Sequence, residues 1–376
     1  MEEIRRDNLR EFLLWGFFDL DGDRTGETGS DILEQEMNEF VARIEQGLGR
    51  ALLSGRGNAQ CIRMTFDDIE TTYRSLLWYV IMFAIDQIAH CALSWYGFRL
   101  YGRPPATELS YYYRPHISAD SFPVVFIHGI GIGLWTYVRF LADIHAAGKR
   151  GQGGGVGVIA IEILPVSFRL TSPPLGKAEF LRQMTRILDH HGWDKFAVVS
   201  HSYGSVPTTH MIQSPTLQRR IVSVVLIDPV TIMLHHPNVA YNFTRRRPKK
   251  ANEWQLWYFA STDPGVAHCL GRHFFWQENI VWKEELLFRD GNQREGPMMG
   301  RRVAVCLAGR DILVDTPSVA KYLTDQMAPY CDGVGSSQEV GVKVIMFPKL
   351  DHAQVFDSPP DREKVVQLIQ LYCRRE

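Results

Sequence analysis

The chain has 376 residues, with 41 Lys+Arg against 42 Asp+Glu and a hydrophobic share of 45%. That length supplies one large core plus an appended region, and the balanced charge argues against general nucleic-acid binding, which needs a strong basic excess. Six cysteines with no C-x-x-C pair make neither a disulfide framework nor a zinc ribbon, and they point to a reducing, intracellular setting, cytoplasmic or on an intracellular membrane.

The N-terminus, Met1-Glu2-Glu3-Ile4-Arg5-Arg6, has no apolar run behind it, which argues against a secretory signal peptide. Residues 2–18 and 31–54 show helical spacing of apolar residues, as in the stripe Ile32, Leu33, Met37, Phe40, Val41 and Ile44. The acidic stretch between them, Asp19–Ser30, invites comparison with a calcium-binding loop. It fails in both registers: starting at Asp21 places Ile32 where a bidentate Glu is required, and starting at Asp19 places Arg24 at the turn glycine. A surface loop is expected.

Residues 76–98, LLWYVIMFAIDQIAHCALSWYGF, are long enough to span a bilayer, with Arg74 and Arg99 flanking and Trp and Tyr near both ends. Asp86, Gln87 and His90 oppose spanning. A central acidic residue costs roughly 3 kcal/mol on insertion, against about 0.5 returned per Leu or Ile. A helix packed on the main domain is expected, with association at a membrane surface as the alternative. Asp86 and His90 are four apart, a spacing that lets them pair on one helical face.

From Pro123 onward, apolar runs rich in Val and Ile alternate with helical stretches. The runs are 124–127, 158–163, 196–199, 222–227, 303–307 and 342–347, and helices are expected near 134–147, 177–191, 204–213, 317–328 and 361–373. Such alternation predicts an α/β fold with a mostly parallel central sheet covered on both faces. The Gly-rich 148–157 reads as a connector, since it lacks a phosphate-loop lysine. About 70 residues after Asp228-Pro229 break the alternation and are dense in aromatics, which predicts a helical insertion. The organisation read from the chain is therefore a helical extension over 1–110, a core over 111–230 and 301–376, and an inserted cap over 231–300.

Candidate chemistry collects at strand ends. Ser200-His201-Ser202-Tyr203-Gly204 follows the 196–199 run and precedes a helix. A serine on so tight a turn is held with its hydroxyl exposed at the sheet edge, and small residues, here Ser200 and Gly204, are needed two before and two after it. His128-Gly129-Ile130-Gly131 ends the first parallel run, and its backbone could supply an oxyanion hole, with Ile130 and Tyr203 N–H groups as donors by position. Asp311, in Gly309-Arg310-Asp311, and His352, after Asp351, follow the last two runs, giving the chain order Ser, Asp, His. Asp228 is an alternative acid. Asp315 reads as a helix cap, and His201 as a packing residue. No histidine pair of the 231–300 segment has metal-ligand spacing, so neither metal nor cofactor is expected. Arg245-Arg246-Arg247-Pro248-Lys249-Lys250 reads as a solvated loop, with anionic lipid headgroups as the sharper option.

These four motifs, in this order, resemble the serine-hydrolase type of the α/β-hydrolase fold over roughly residues 121–376, with the insertion where that family places its cap. Ser200 departs from the usual first glycine of the serine turn. The resemblance implies that Ser202 is a nucleophile, His352 its base and Asp311 the orienting acid, acting on a carboxylic ester for which an apolar or lipid-like substrate is expected. A thioesterase or acyltransferase on the same residues, and a non-catalytic binding protein of the same fold, are the alternatives. The oligomeric state is not legible.

Overall fold

A computed structural model describes residues 3–21, 31–102, 105–150, 154–288, 300–324 and 341–375. Most of the acidic loop (22–30), the centre of the Gly-rich connector (151–153), residues 289–299 of the insertion, the end of the helix expected to reach 328, and Cys331 lie outside the described residues.

In chain order the helices and strands are α1 (Arg6–Phe18), α2 (Asp31–Leu48), α3 (Leu76–Trp95), β1 (Arg99–Tyr101), β2 (Tyr111–Arg114), β3 (Val124–Ile127), α4 (Val138–Arg150), β4 (Val158–Ile161), α5 (Lys177–His190), β5 (Phe196–His201), α6 (Ser205–Gln213), β6 (Ile221–Ile227), α7 (Asn238–Thr244), α8 (Ala251–Leu256), α9 (Pro264–His273), α10 (Trp276–Asn279), α11 (Lys283–Leu286), β7 (Arg302–Ala308), α12 (Thr316–Thr324), β8 (Val342–Phe347) and α13 (Pro359–Cys373). They form two compact units. One holds residues to Ile69 together with Leu270–Glu278, and the other holds Glu70–Cys269 and Asn279 onward.

In the smaller unit, α1 and α2 bury Leu13, Leu14, Met37 and Val41 against one another, the helical stripes that their spacing implies. Trp15 donates its indole N–H to Thr65 Oγ1 (2.8 Å), and Trp276 donates to the Gly16 carbonyl (2.9 Å). Asp19 ends α1 in a left-handed conformation and accepts from the Thr65 hydroxyl, and Asp21 pairs with Arg63 at 3.0 Å. These two acidic groups of the loop thus have structural partners.

The larger unit is built on an eight-stranded sheet in the order β1-β2-β4-β3-β5-β6-β7-β8. The six strands β3 to β8 run parallel, while β2 runs antiparallel to both of its neighbours, β4 and the edge strand β1, with Tyr111 opposite Ile161. Residues 70–110, read from the sequence with the N-terminal extension, thus lie in the larger unit, and part of them is sheet. The central strands are buried on both faces, which is why their sequences are continuous Val/Ile runs and not alternating ones. Alternate residues such as Phe126, Ala160, Val199, Val225, Ala304 and Phe347 join α4 and α13 in one cluster. Their neighbours on the opposite face, such as Val125, Ile159, Val198 and Val224, are equally buried.

The amphiphilic segment is helix α3, started by Ser75, whose hydroxyl accepts from the Trp78 N–H. Its inner face buries Met82, Ala89 and Leu93, the last two in the core cluster with α4. Asp86 pairs with Arg169 (2.5 Å) and His90 with Tyr112 Oη (3.1 Å), so the Asp86–His90 pair that their spacing allows is replaced by two ties to the rest of the unit. Two polar ties and three buried side chains thus attach one side of the helix to the unit, and by length and composition the same helix is apolar enough to cross a membrane.

Leu93→Ala is expected to destabilise the protein by about 2–5 kcal/mol, because it opens a cavity at a fully buried leucine. Denaturant unfolding of the purified protein measures this; an unchanged midpoint would mean that α3 is not packed on the core.

Candidate active site

The parallel strands all end at one edge, and the sequence-predicted residues meet there. Ser202 follows β5 with φ +50°, a left-handed conformation unusual for a residue with a side chain. The cause lies two residues on. A Cβ at position 204 would sit 2.3 Å from the Ile127 carbonyl oxygen, so only glycine lets the turn close against the end of β3. Gly129 is constrained from the other side, since a Cβ there would come within 2.8 Å of Ser202 Cβ. Ser200, which stands where the family prefers glycine, is fully buried, and its hydroxyl has no hydrogen-bond partner among the described residues.

His352, on the turn after β8, places Nε2 at 2.8 Å from Ser202 Oγ and Nδ1 at 2.7 Å from Asp311 Oδ2. With the Nδ1 proton committed to the carboxylate, Nε2 is the acceptor for the serine hydroxyl. Asp311 is held in turn by the Leu313 and Val314 N–H groups, both donating to Oδ1 (2.7 and 3.0 Å). Burial opposes its ionisation, but His352 and these donors keep its carboxyl below the usual range. Burial likewise disfavours a charged His352, yet Asp311, then Asp228 and Asp351, outweigh it and raise the imidazole above its ordinary value. An imidazole so arranged can take a proton from the serine and stabilise the resulting charge.

Asp228 does not contact the histidine ring as Asp311 does. It sits buried at the end of β6, also in a left-handed conformation (φ +45°). One oxygen accepts from the Ala308 N–H (2.8 Å), three residues before Asp311, and the other from the Ala353 N–H (3.1 Å), directly after His352. A single carboxylate thus ties the acid turn to the histidine turn, a role that its sequence position does not reveal. Burial and the Asp311 charge push its pKa up, while His352 and the two N–H donors pull it down. Potential ligating atoms of Asp228, Asp311 and His352 lie within 4.8 Å of one another, a spacing that could suit a metal. The hydrogen bonds just described already occupy both Asp228 oxygens, both Asp311 oxygens and both ring nitrogens of His352.

His128 fixes the glycine turn. Its Nε2 accepts from the Ile163 N–H (2.8 Å), leaving Nδ1 to donate to the Gly129 carbonyl (2.7 Å), and burial lowers its pKa to about 4. The Gly131 N–H donates to Val166 (3.1 Å), so the segment carrying Ile130 is pinned on both sides. His201 is the packing residue expected. Its Nδ1 lies 2.8 Å from Tyr137 Oη, which also accepts from the Gly129 N–H (3.3 Å). Tyr137 therefore couples the glycine turn to the serine turn. It went unnoticed in the sequence because a single tyrosine at a helix start carries no signal. Tyr203, next to Ser202, is buried with its hydroxyl 3.1 Å from Cys269 Sγ.

The described part of the segment after Asp228-Pro229 carries helices α7 to α11, and the first of them dock on the same loops. Asn242 donates to the Leu313 carbonyl (2.8 Å), Arg246 to the Ile312 carbonyl (2.9 Å) and Asn252 to Asp351 Oδ2 (2.7 Å). Arg246 is thus a structural anchor, in contrast to the solvated loop expected for the basic run; Arg247, Lys249 and Lys250 remain exposed. Asp351 caps the histidine turn, accepting from the His352 N–H (2.8 Å), and Asp315 caps α12 through the Ser318 N–H (3.3 Å).

Residues 123–278 match the family described as alpha/beta hydrolase fold. No curated protein matches the sequence. Among solved structures, the chain is similar to a bacterial membrane phospholipase A (14% identity, 79% of this chain and 92% of that one, TM-score 0.46). It is also similar to naproxen esterase from Bacillus subtilis (13%, 76% and 96%, 0.45) and to a serine hydrolase from Cycloclasticus zankles (14%, 73% and 98%, 0.44). At these identities and scores no activity passes from them to this chain. The family match and the arrangement of the sheet agree on the fold, which is the α/β-hydrolase fold.

Proposed function

We infer that the protein is a serine hydrolase that cleaves a carboxylic ester through an acyl-enzyme, with Ser202 as nucleophile, His352 as base and Asp311 as the acid that orients it. The observation that carries this reading is the unbroken chain from Ser202 Oγ through His352 to Asp311, at 2.8 and 2.7 Å. In the first step Ser202 Oγ bonds to the acyl carbon while its proton passes to His352 Nε2. The tetrahedral oxyanion is held by the Ile130 and Tyr203 N–H groups, an arrangement typically worth about 3–4 kcal/mol per donor. Collapse expels the alcohol, which takes the proton from His352. Water, deprotonated by the same imidazole, then attacks the acyl-enzyme; the acyl carbon–Oγ bond breaks, His352 returns the proton to Ser202 Oγ, and the acid leaves.

The helices within 231–300 serve as a cap over this edge in the same reading, and the preference is for an apolar or lipid-like ester. Exposed aromatics of the cap, among them Trp254, Tyr258 and Phe259, support that preference.

A fluorophosphonate probe is expected to label the wild-type protein and to leave Ser202→Ala unlabelled; equal labelling of both proteins would sink the serine-hydrolase reading. On a series of p-nitrophenyl esters, Asp311→Asn should lower kcat by about 10³–10⁴-fold, since the imidazole loses its fixed tautomer. The base must be neutral to act, so kcat/KM should rise with pH. The carboxylates around His352 place the midpoint of that rise above the ordinary imidazole value of about 6.5. Asp228→Asn removes one of these charges and should move the midpoint down. A midpoint below about 6.5 in the wild type, or no movement in Asp228→Asn, would contradict the electrostatics assigned to this site.

A further inference from the structure

Helix α3 has a second face that the fold does not use. Leu77, Val80, Ala84, Ile88, Cys91 and Trp95 recur at three- and four-residue spacing and are all exposed, Leu77 by 66% and Trp95 by 88%. No charged residue interrupts this stripe, because the helix's one carboxylate, Asp86, turns inward to Arg169. A stripe of this length on a soluble face is an interaction surface, not a scatter of single exposed residues.

What borders the stripe identifies its occupant. At the start of α3, Trp78 lies against Phe259 and Tyr258 (ring centroids 5.5 and 6.3 Å), which join the apolar helix to the partly exposed aromatics of the cap. The cap's basic run begins close by. Arg247 reaches Glu70 (3.8 Å), six residues before the helix, and Lys249 and Lys250 follow it, both exposed. An apolar stripe, then amphipathic aromatics, then cations is the order of chemistry from the acyl region of a bilayer to its anionic headgroups. The buried inner face, with Met82, Ala89 and Leu93, leaves one side of the helix for lipid, so it lies in the membrane plane.

We propose that α3, with the cap aromatics and Arg247, Lys249 and Lys250, is a docking face by which the protein sits on an anionic lipid surface without crossing it. The face borders the candidate site. A Cβ on Gly133, at the end of the glycine-rich turn, would lie 3.7 Å from Asp86 Oδ1 on the same helix. Leu170, 74% exposed and one residue beyond Arg169, extends the apolar surface there. The consequence that a lipid ester enters beside the turn carrying Ile130 rests on the hydrolase reading; the docking itself does not.

The test is flotation of the full chain with phosphatidylcholine vesicles, with and without phosphatidylserine. The wild type is expected to float with the mixed vesicles and less with phosphatidylcholine alone. Leu77→Glu combined with Ile88→Glu should reduce the bound fraction by at least about tenfold, since two apolar side chains no longer enter lipid. Both positions are exposed, so the melting temperature and the fluorophosphonate labelling of Ser202 should be unchanged. Arg247→Glu with Lys249→Glu should abolish the gain from phosphatidylserine. A wild type that stays unbound with both vesicles, or a Leu77/Ile88 variant that floats as well as the wild type, overturns the proposal. So does a wild-type dimer that the same variant dissociates and that does not float, because the face then belongs to a second copy. Labelling is read separately, so failure to float and failure to hydrolyse are distinguishable.

Discussion

Between the ends of β3 and β5 there is no room for a side chain at position 204, and the candidate site follows from that contact. With Gly204 pressed on the Ile127 carbonyl, the chain must turn sharply out of β5, and Ser202 takes a left-handed conformation at the apex. The same approach brings the glycine turn after β3 beside the serine, so that Gly129 faces Ser202 Cβ without space for a methyl group. The hydroxyl and the backbone N–H groups proposed for the oxyanion are therefore placed by one packing constraint. Tyr137 and His128 then lock it through hydrogen bonds that hold each turn in place, while burial lowers the pKa of the His128 and His201 imidazoles. Local strain of this kind persists only where the surroundings over-determine it.

The opposite half of the site depends on Asp228. Asp311 and His352 come from turns 41 residues apart in sequence, and β7 and β8 alone fix only the strands that precede them. The Asp228 carboxylate, buried at the end of β6, joins the two turns through backbone N–H groups, and it adds a second negative charge near the imidazole. Burial opposes that charge, and His352 and the same N–H donors favour it. The segment after β6 adds a third attachment, with Asn242, Arg246 and Asn252 docked on the loops of Asp311 and His352.

The sequence made legible whatever rests on periodicity or on local turn chemistry. The parallel strands show as Val/Ile runs because both faces are buried, and Ser202, Asp311 and His352 stand out because each ends such a run. Less legible was everything that depends on a partner distant in the chain. Tyr111–Arg114 is an aromatic strand one face of which stacks on Tyr101 and His191, so it lacks the apolar signature of its neighbours and is missing from the strands read from the sequence. Asp86 and His90 have the spacing of a helical pair, yet Arg169 and Tyr112 claim them. Asp228 and Asp311 both follow sheet strands; the sequence reading favours Asp311 as the acid, and the 2.7 Å contact with His352 Nδ1 belongs to Asp311, while the tying role of Asp228 has no sequence signal. Leu270–Glu278 leaves the insertion for the smaller unit, a division that no composition shift marks.

The measurement that bears most directly on the central claim is a crystal structure of the protein inhibited by an alkyl phosphonate. The account predicts phosphorus bonded to Ser202 Oγ, its oxygen within hydrogen-bonding distance of the Ile130 and Tyr203 N–H groups, and His352 still bound to Asp311. A phosphonate on another residue, or one whose oxygen points away from both N–H groups, would contradict it.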